Sequence, residues 1–222
     1  MSRAVRSPRS TVGIAAGGAL AALALRHVQQ GWGATPEEVG AVLPGDEILG
    51  PADLVATRAV EIQAPPQDVW PWLAQLGQGR GGFYSYDGLQ SWLGMDIHNA
   101  DEVVPEWQDI ARGDVVKLVE DVALRVASVE AEQALVLRSP WEGEEAGAQL
   151  AEVPFAFTWA FVLRPGPRRT TRLLVRERYT YLRPAAAALV ETAQIASFIM
   201  SERMLRGIKE RAEYRPRVEY AF

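Results

Sequence analysis

Residues 153–166 read VPFAFTWAFVLRPG and residues 170–182 read TTRLLVRERYTYL. Both alternate with the period of two that puts successive side chains on opposite faces of a strand. In the first, Phe155, Phe157, Trp159, Phe161 and Leu163 share a face, with Ala156, Thr158, Ala160 and Val162 behind them. In the second, Leu173, Val175, Glu177, Tyr179 and Tyr181 share a face, with Leu174, Arg176, Arg178 and Thr180 behind. A connection of hairpin length joins them, so the two strands run antiparallel. Four aromatics on one strand face demand a large apolar partner. One follows at once: from Pro184 to about Arg211, Leu189, Ile195, Phe198, Ile199, Leu205 and Ile208 recur at helical spacing. This helix opens with Ala185–Ala188 and continues through Ala193 and Ala196. Small residues opposite large ones either interdigitate or leave a cavity.

Upstream, DVVKLVE (114–120), ALRVASVEA (123–131) and QALVLRSP (133–140) read as further strands separated by turns. ATRAVEIQ (56–63) is another, with Val60 and Ile62 on one face, and it ends before Pro65-Pro66. PPQDVWPWLAQLG then predicts a helix closing at Gly77, with Val69, Trp72, Leu73 and Leu76 on its apolar side. A glycine-rich stretch (Gly77, Gly79, Gly81, Gly82) follows, then a short helix over Asp87–Leu93. The glycines are no phosphate loop, since the Gly-Lys-Ser/Thr ending is missing and a helix precedes them instead of a strand. Residues 27–53 read as a linker holding one short helix, with Thr35 as N-cap and Pro36 at the first helical position. The acidic loop 141–152 and the tail 214–222 read as irregular. The order predicts an α+β domain over 54–213, a curved antiparallel sheet wrapped around a long C-terminal helix.

Composition narrows the chemistry. The chain of 222 residues is 48% hydrophobic and 23% charged, an ordinary globular balance. A mean hydropathy of −0.06 excludes a multi-span membrane protein. With no cysteine there are no disulfides, thiolate nucleophiles or iron–sulfur ligands, and two histidines, His27 and His98, leave little for a metal site. The expectation is no metal and no cofactor. The net charge of −5 includes +4 from Arg3, Arg6, Arg9 and Arg26, leaving −9 for the rest, a field that disfavours nucleic acid. Seven arginines lie between Arg164 and Arg183, while residues 101–152 hold thirteen acids. This asymmetry predicts charge complementarity within the domain.

The N-terminus separates from this domain. MSRAVRSPRS is basic and polar, and TVGIAAGGALAALAL (11–25) is uncharged and apolar. The 1–26 segment has the layout of a leader or signal-anchor, although 15 residues are short for a stable span. Membrane association through 11–25, or export, is expected, against a cytoplasmic chain in which this run is a buried Ala-rich helix or a tail.

The element order, IQAPPQDVWPWLAQLGQGRGGFYSYD (62–87) and SFIMSERMLRGIKERAE (197–213) resemble the START-like polyketide cyclase/dehydratase and lipid-transport superfamily (SRPBCC), whose fold is the helix-grip. The resemblance covers roughly 54–213. It is closest to an uncharacterised actinobacterial-type group through WGAT (Trp32–Thr35), LPGDE (Leu43–Glu47) and DIHNAD (Asp96–Asp101). It implies a hydrophobic ligand or lipid held between sheet and helix, but superfamily members differ in chemistry and fold alone supplies no function.

From the residues, the expected site is an apolar cavity lined by Phe157, Trp159, Phe161, Tyr179 and Phe198. Tyr84, Tyr86 and His98 are expected near its mouth and Arg80 near an anionic ligand group. Two candidates exist for acid/base chemistry. Glu177 sits on the aromatic face, where burial favours its neutral form unless an arginine pairs with it. His98, beside Asp96, Asn99, Asp101 and Glu102, has the makings of a general base, although Asx residues in such a stretch more often cap turns. The leading expectation is non-covalent binding or carriage of a hydrophobic small molecule or lipid. The alternative is a cyclase/dehydratase acting on a polyketide-like substrate through His98 or Glu177. Oligomeric state is not legible.

Overall fold

The computed structural model describes residues 25–85, 98–120, 122–141 and 153–214. After a helical turn over 25–31 come α1 (Pro36–Gly40), β1 (Leu54–Ile62) and α2 (Pro66–Ala74). Five strands follow: β2 (Val115–Val119), β3 (Val122–Glu130), β4 (Ala134–Arg138), β5 (Phe155–Pro165) and β6 (Thr171–Tyr181). The 29-residue α3 (Ala185–Glu213) is the last described element. The six strands form one antiparallel sheet in the order β1-β6-β5-β4-β3-β2. This is the expected α+β helix-grip architecture. Register shifts between Lys117 and Val119 and between Val126 and Ser128 bend the far strands, as bulges do. The expected helix over 87–93, the loop 142–152, the apolar run 11–24 and the tail from 215 lie outside the described residues. Among the described residues no helix is long and apolar enough to cross a membrane.

The main core lies between the concave sheet face, α2 and the C-terminal half of α3. Leu73, Leu135, Leu137, Phe161, Leu173, Val175, Leu205 and Ile208 are all fully buried there. The register Phe157↔Tyr179, Trp159↔Glu177 and Phe161↔Val175 brings the two aromatic-rich faces side by side on this concave surface. The first half of α3 departs from expectation: Leu189, Ile195 and Ile199 are exposed, while Ala186, Val190, Gln194 and Ser201 form the inner stripe. Its apolar residues are scattered around the axis, and the side facing the sheet is chosen by small and polar groups.

A second difference concerns 27–53, whose stretch 34–46 packs against the convex sheet face instead of linking two parts. Leu43 is buried against Ala59, Val162 and Leu174. Thr35 caps α1 as expected, in a reciprocal capping box with Glu38. Arg176 then ties this strap to the sheet. Its guanidinium donates to Thr57 Oγ1, the Ala41, Glu38 and Val39 carbonyls and Asp46 Oδ2, at 2.6 to 2.9 Å. Arg172 pairs with Glu38 at 2.7 Å and Arg178 with Asp46 at 3.0 Å. Among the described residues the arginine-rich strand therefore finds its acids at 38–46, because the even-numbered positions of β6 point to the convex face that the strap covers.

Candidate functional site

A cavity of about 360 Å³ opens between the concave face and α3. Phe155, Phe157, Trp159 and Tyr179 form its sheet wall, and Ser197, Met200, Ser201 and Met204 its helix wall. Leu118, Val119, Val122 and Leu124 close the far side, with Phe83 and Ser85 beside them. The aromatics form a continuous surface. Ring centroids are 4.8 Å apart for Trp159 and Phe161, 4.7 Å for Phe157 and Tyr179, and 6.0 Å for the stacked Phe83 and Trp159. The cavity exists because α3 places serines and methionines, not bulky branched residues, opposite those rings.

Its polar element is Glu177, which is 3% exposed. Oε1 accepts from Arg58 Nη1 at 2.7 Å and Ser201 Oγ at 2.8 Å. Oε2 accepts from Ser197 Oγ at 2.8 Å and Tyr179 Oη at 3.4 Å. A carboxylate has about four acceptor positions, and all are engaged. Arg58 is itself fully buried. Its Nε donates to the Gln29 carbonyl at 3.0 Å, its Nη2 has no partner among the described residues, and its guanidinium carbon lies 5.8 Å from the Phe198 ring centre. Burial first, then the negative charge of Glu177, pushes the Tyr179 hydroxyl well above its ordinary value, so it remains protonated.

The expected residues divide as follows. Phe157, Trp159, Glu177 and Tyr179 line the cavity. Phe161 lies fully buried behind Trp159, in the core and off the cavity wall. Phe198 is half-buried beneath Arg58, also off the wall. Tyr84 does not sit at a mouth. Its hydroxyl donates to the Trp72 carbonyl at 3.0 Å, its ring meets Trp72 edge-on, and burial raises its pKa. Arg80 donates to the carbonyls of Ala74 and Trp107, and burial lowers its pKa. It holds a loop together instead of facing a ligand. Tyr86 lies outside the described residues.

His98 is exposed and absent from the cavity wall, with its carbonyl against Gly82. Its neighbour Asn99 does the local work: Oδ1 accepts from the amides of Phe83 and Tyr84, and Nδ2 donates to the Ser85 carbonyl. Asp101 pairs with Arg211 at 2.9 Å. Among the described residues no group of three or more His, Asp or Glu stands together as a metal site.

Arg58, Ser197 and Ser201 were missed from the sequence. Arg58 was recoverable, because the alternation that puts Val60 and Ile62 inward puts residue 58 there too. Nothing in the sequence marked the two serines, whose role depends on the rotation of α3 about its axis.

No family model matches the chain, and no curated protein does either. Solved structures do. A protein from Nitrosomonas europaea aligns at 12% identity over 73% of this chain and 97% of its own, with a TM-score of 0.46. A protein from Helicobacter pylori aligns at 13% identity over 77% and 95%, TM-score 0.44. Norcoclaurine synthase from Thalictrum flavum aligns at 14% identity over 71% and 84%, TM-score 0.42. At these scores the fold assignment rests on the sheet order and the C-terminal helix themselves.

Proposed function

We propose that this chain binds and carries a small hydrophobic molecule in the cavity between sheet and α3, without covalent chemistry. The observation that carries this reading is an aromatic-walled space of about 360 Å³ between the sheet and α3, lined almost wholly by carbon. Binding pockets for small molecules run from roughly 300 to 1,000 Å³. Filled to interior packing density, about three-quarters, the space suits a ligand of two or three rings or one short chain better than a two-chain lipid. The resemblance to the START-like superfamily agrees with this. The residues behind the finer, actinobacterial-type resemblance (Thr35, Leu43, Asp46 and Asn99) serve as ties of the strap and of the 83–85 loop.

The cyclase/dehydratase reading would have to run through Glu177, because His98 is not on the wall. A carboxylate whose acceptor positions are taken by Arg58, Ser201, Ser197 and Tyr179 has none free for a substrate proton. Binding is the better-supported role.

Solvent extraction of the purified full chain followed by mass spectrometry should yield a co-purifying apolar compound, or the chain should take up an added one. Trp159→Arg puts a charge on the wall and should abolish uptake while the far-ultraviolet circular dichroism stays unchanged. Undiminished uptake by a folded Trp159→Arg chain would move the site elsewhere.

A further inference from the structure

The hydroxyl groups of the cavity wall have one property in common. Each gives its single proton to the protein. Ser197, Ser201 and Tyr179 donate to Glu177, and Ser85 donates to the Met200 carbonyl at 3.3 Å. A carboxylate and a carbonyl accept and never donate, so the direction of these bonds is fixed by chemistry. The indole nitrogen of Trp159 and Nη2 of Arg58 have no partner among the described residues, but both are covered by protein atoms and do not reach the cavity surface. Among the described lining residues, the exposed wall is therefore almost wholly carbon, and the hydroxyls that border it bring oxygen lone pairs and no free proton.

From this polarity, and resting on the binding role proposed above, we infer that the preferred ligand is an apolar molecule whose polar group is a hydrogen-bond donor, an alcohol or phenol hydroxyl. A ligand hydroxyl can give its proton to the Ser197 or Tyr179 oxygen. A ligand aldehyde, ketone or ether brings an acceptor to a wall whose described side chains have no free proton to give, and a buried acceptor left unpaired is costly. A carboxylate is worse placed, since it brings a second negative charge beside Glu177. Glu177 is thus a positioning residue: it orients the hydroxyls and thereby selects ligand polarity without touching the ligand.

The test uses the full-length chain and four molecules of nearly one shape: naphthalene, 2-naphthol, 2-methoxynaphthalene and 2-naphthaldehyde, with dissociation constants from equilibrium dialysis. 2-Naphthol should bind about fivefold more tightly than 2-methoxynaphthalene, the gain of roughly one hydrogen bond. 2-Naphthaldehyde should bind more weakly than naphthalene. If naphthalene binds but 2-naphthaldehyde or 2-methoxynaphthalene equals or exceeds 2-naphthol, the polarity inference falls and the cavity reading stands. If none of the four binds, the cavity reading falls and takes the inference with it. Glu177→Gln supplies a check that general loosening cannot imitate. Its amide N–H can donate to Ser197 or Tyr179 and turn one hydroxyl proton toward the cavity, so the preference should shift toward 2-naphthaldehyde. An unchanged order of affinities in a folded Glu177→Gln chain would also overturn the inference.

Discussion

Arg58 and Glu177 lie on adjacent strands, one fully buried and the other 3% exposed, paired at 2.7 Å. Removing two charges from water costs several kcal/mol, and here the attraction of the pair and the hydrogen bonds from Ser197 and Ser201 offset that cost. The arrangement explains how a carboxylate sits in an aromatic wall. It also makes each partner intolerant of losing the other. Glu177→Leu leaves the Arg58 guanidinium charged and unpaired in the interior, and urea denaturation should show a loss of about 3–5 kcal/mol. Arg58→Met combined with Glu177→Leu should recover most of that loss. If the double variant is as unstable as the single one, the two residues are not energetically coupled. The contrast with Arg176 is instructive. On the convex face its guanidinium is satisfied on all three nitrogens, whereas Arg58 retains an unpartnered Nη2.

At the scale of elements, the long helix and the 83–85 loop are held at a separation set by one glycine. A Cβ on Gly207 would stand 2.2 Å from the Tyr84 carbonyl oxygen and 2.8 Å from its Cβ. Tyr84 itself has a positive φ of 52° and is held by Asn99, by the Trp72 carbonyl and by the Arg211 guanidinium, 4.9 Å over its ring. Gly→Ala within a helix ordinarily stabilises by about 1 kcal/mol. Gly207→Ala should do the opposite and destabilise by about 2 kcal/mol, because neither the helix nor the clamped loop can yield. Thermal unfolding reads the sign, and a raised melting temperature would show that the loop moves freely. Phe83 and Ser85 flank Tyr84 and line the cavity, so the same variant should also weaken ligand uptake.

For the whole molecule, the sheet is covered on both faces: α2 and α3 cover the concave side and the strap from 34 to 50 covers the convex one. Removing residues 1–50 should uncover Ala59, Val162 and Leu174, strip Arg172, Arg176 and Arg178 of their partners, and deprive Arg58 of the Gln29 carbonyl. The truncated chain should bind apolar dye and scatter light at temperatures where the full chain is clear. A soluble truncated chain with an unchanged melting temperature would show that the strap is dispensable. The element order, the aromatic strand face, the Thr35 cap and the long helix were legible in the sequence, because periodicity and capping are properties of neighbours along the chain. The packing of the strap, the partners of the arginines, the exposure of Leu189 and the structural use of Tyr84 and Arg80 were not. Those depend on which faces meet in space. So does the polarity of the cavity: the sequence determined that a carboxylate and aromatics share a strand face, but only the tertiary structure turned three hydroxyl protons toward that carboxylate, because Arg58 on β1 and the serines of α3 converge on it from different elements.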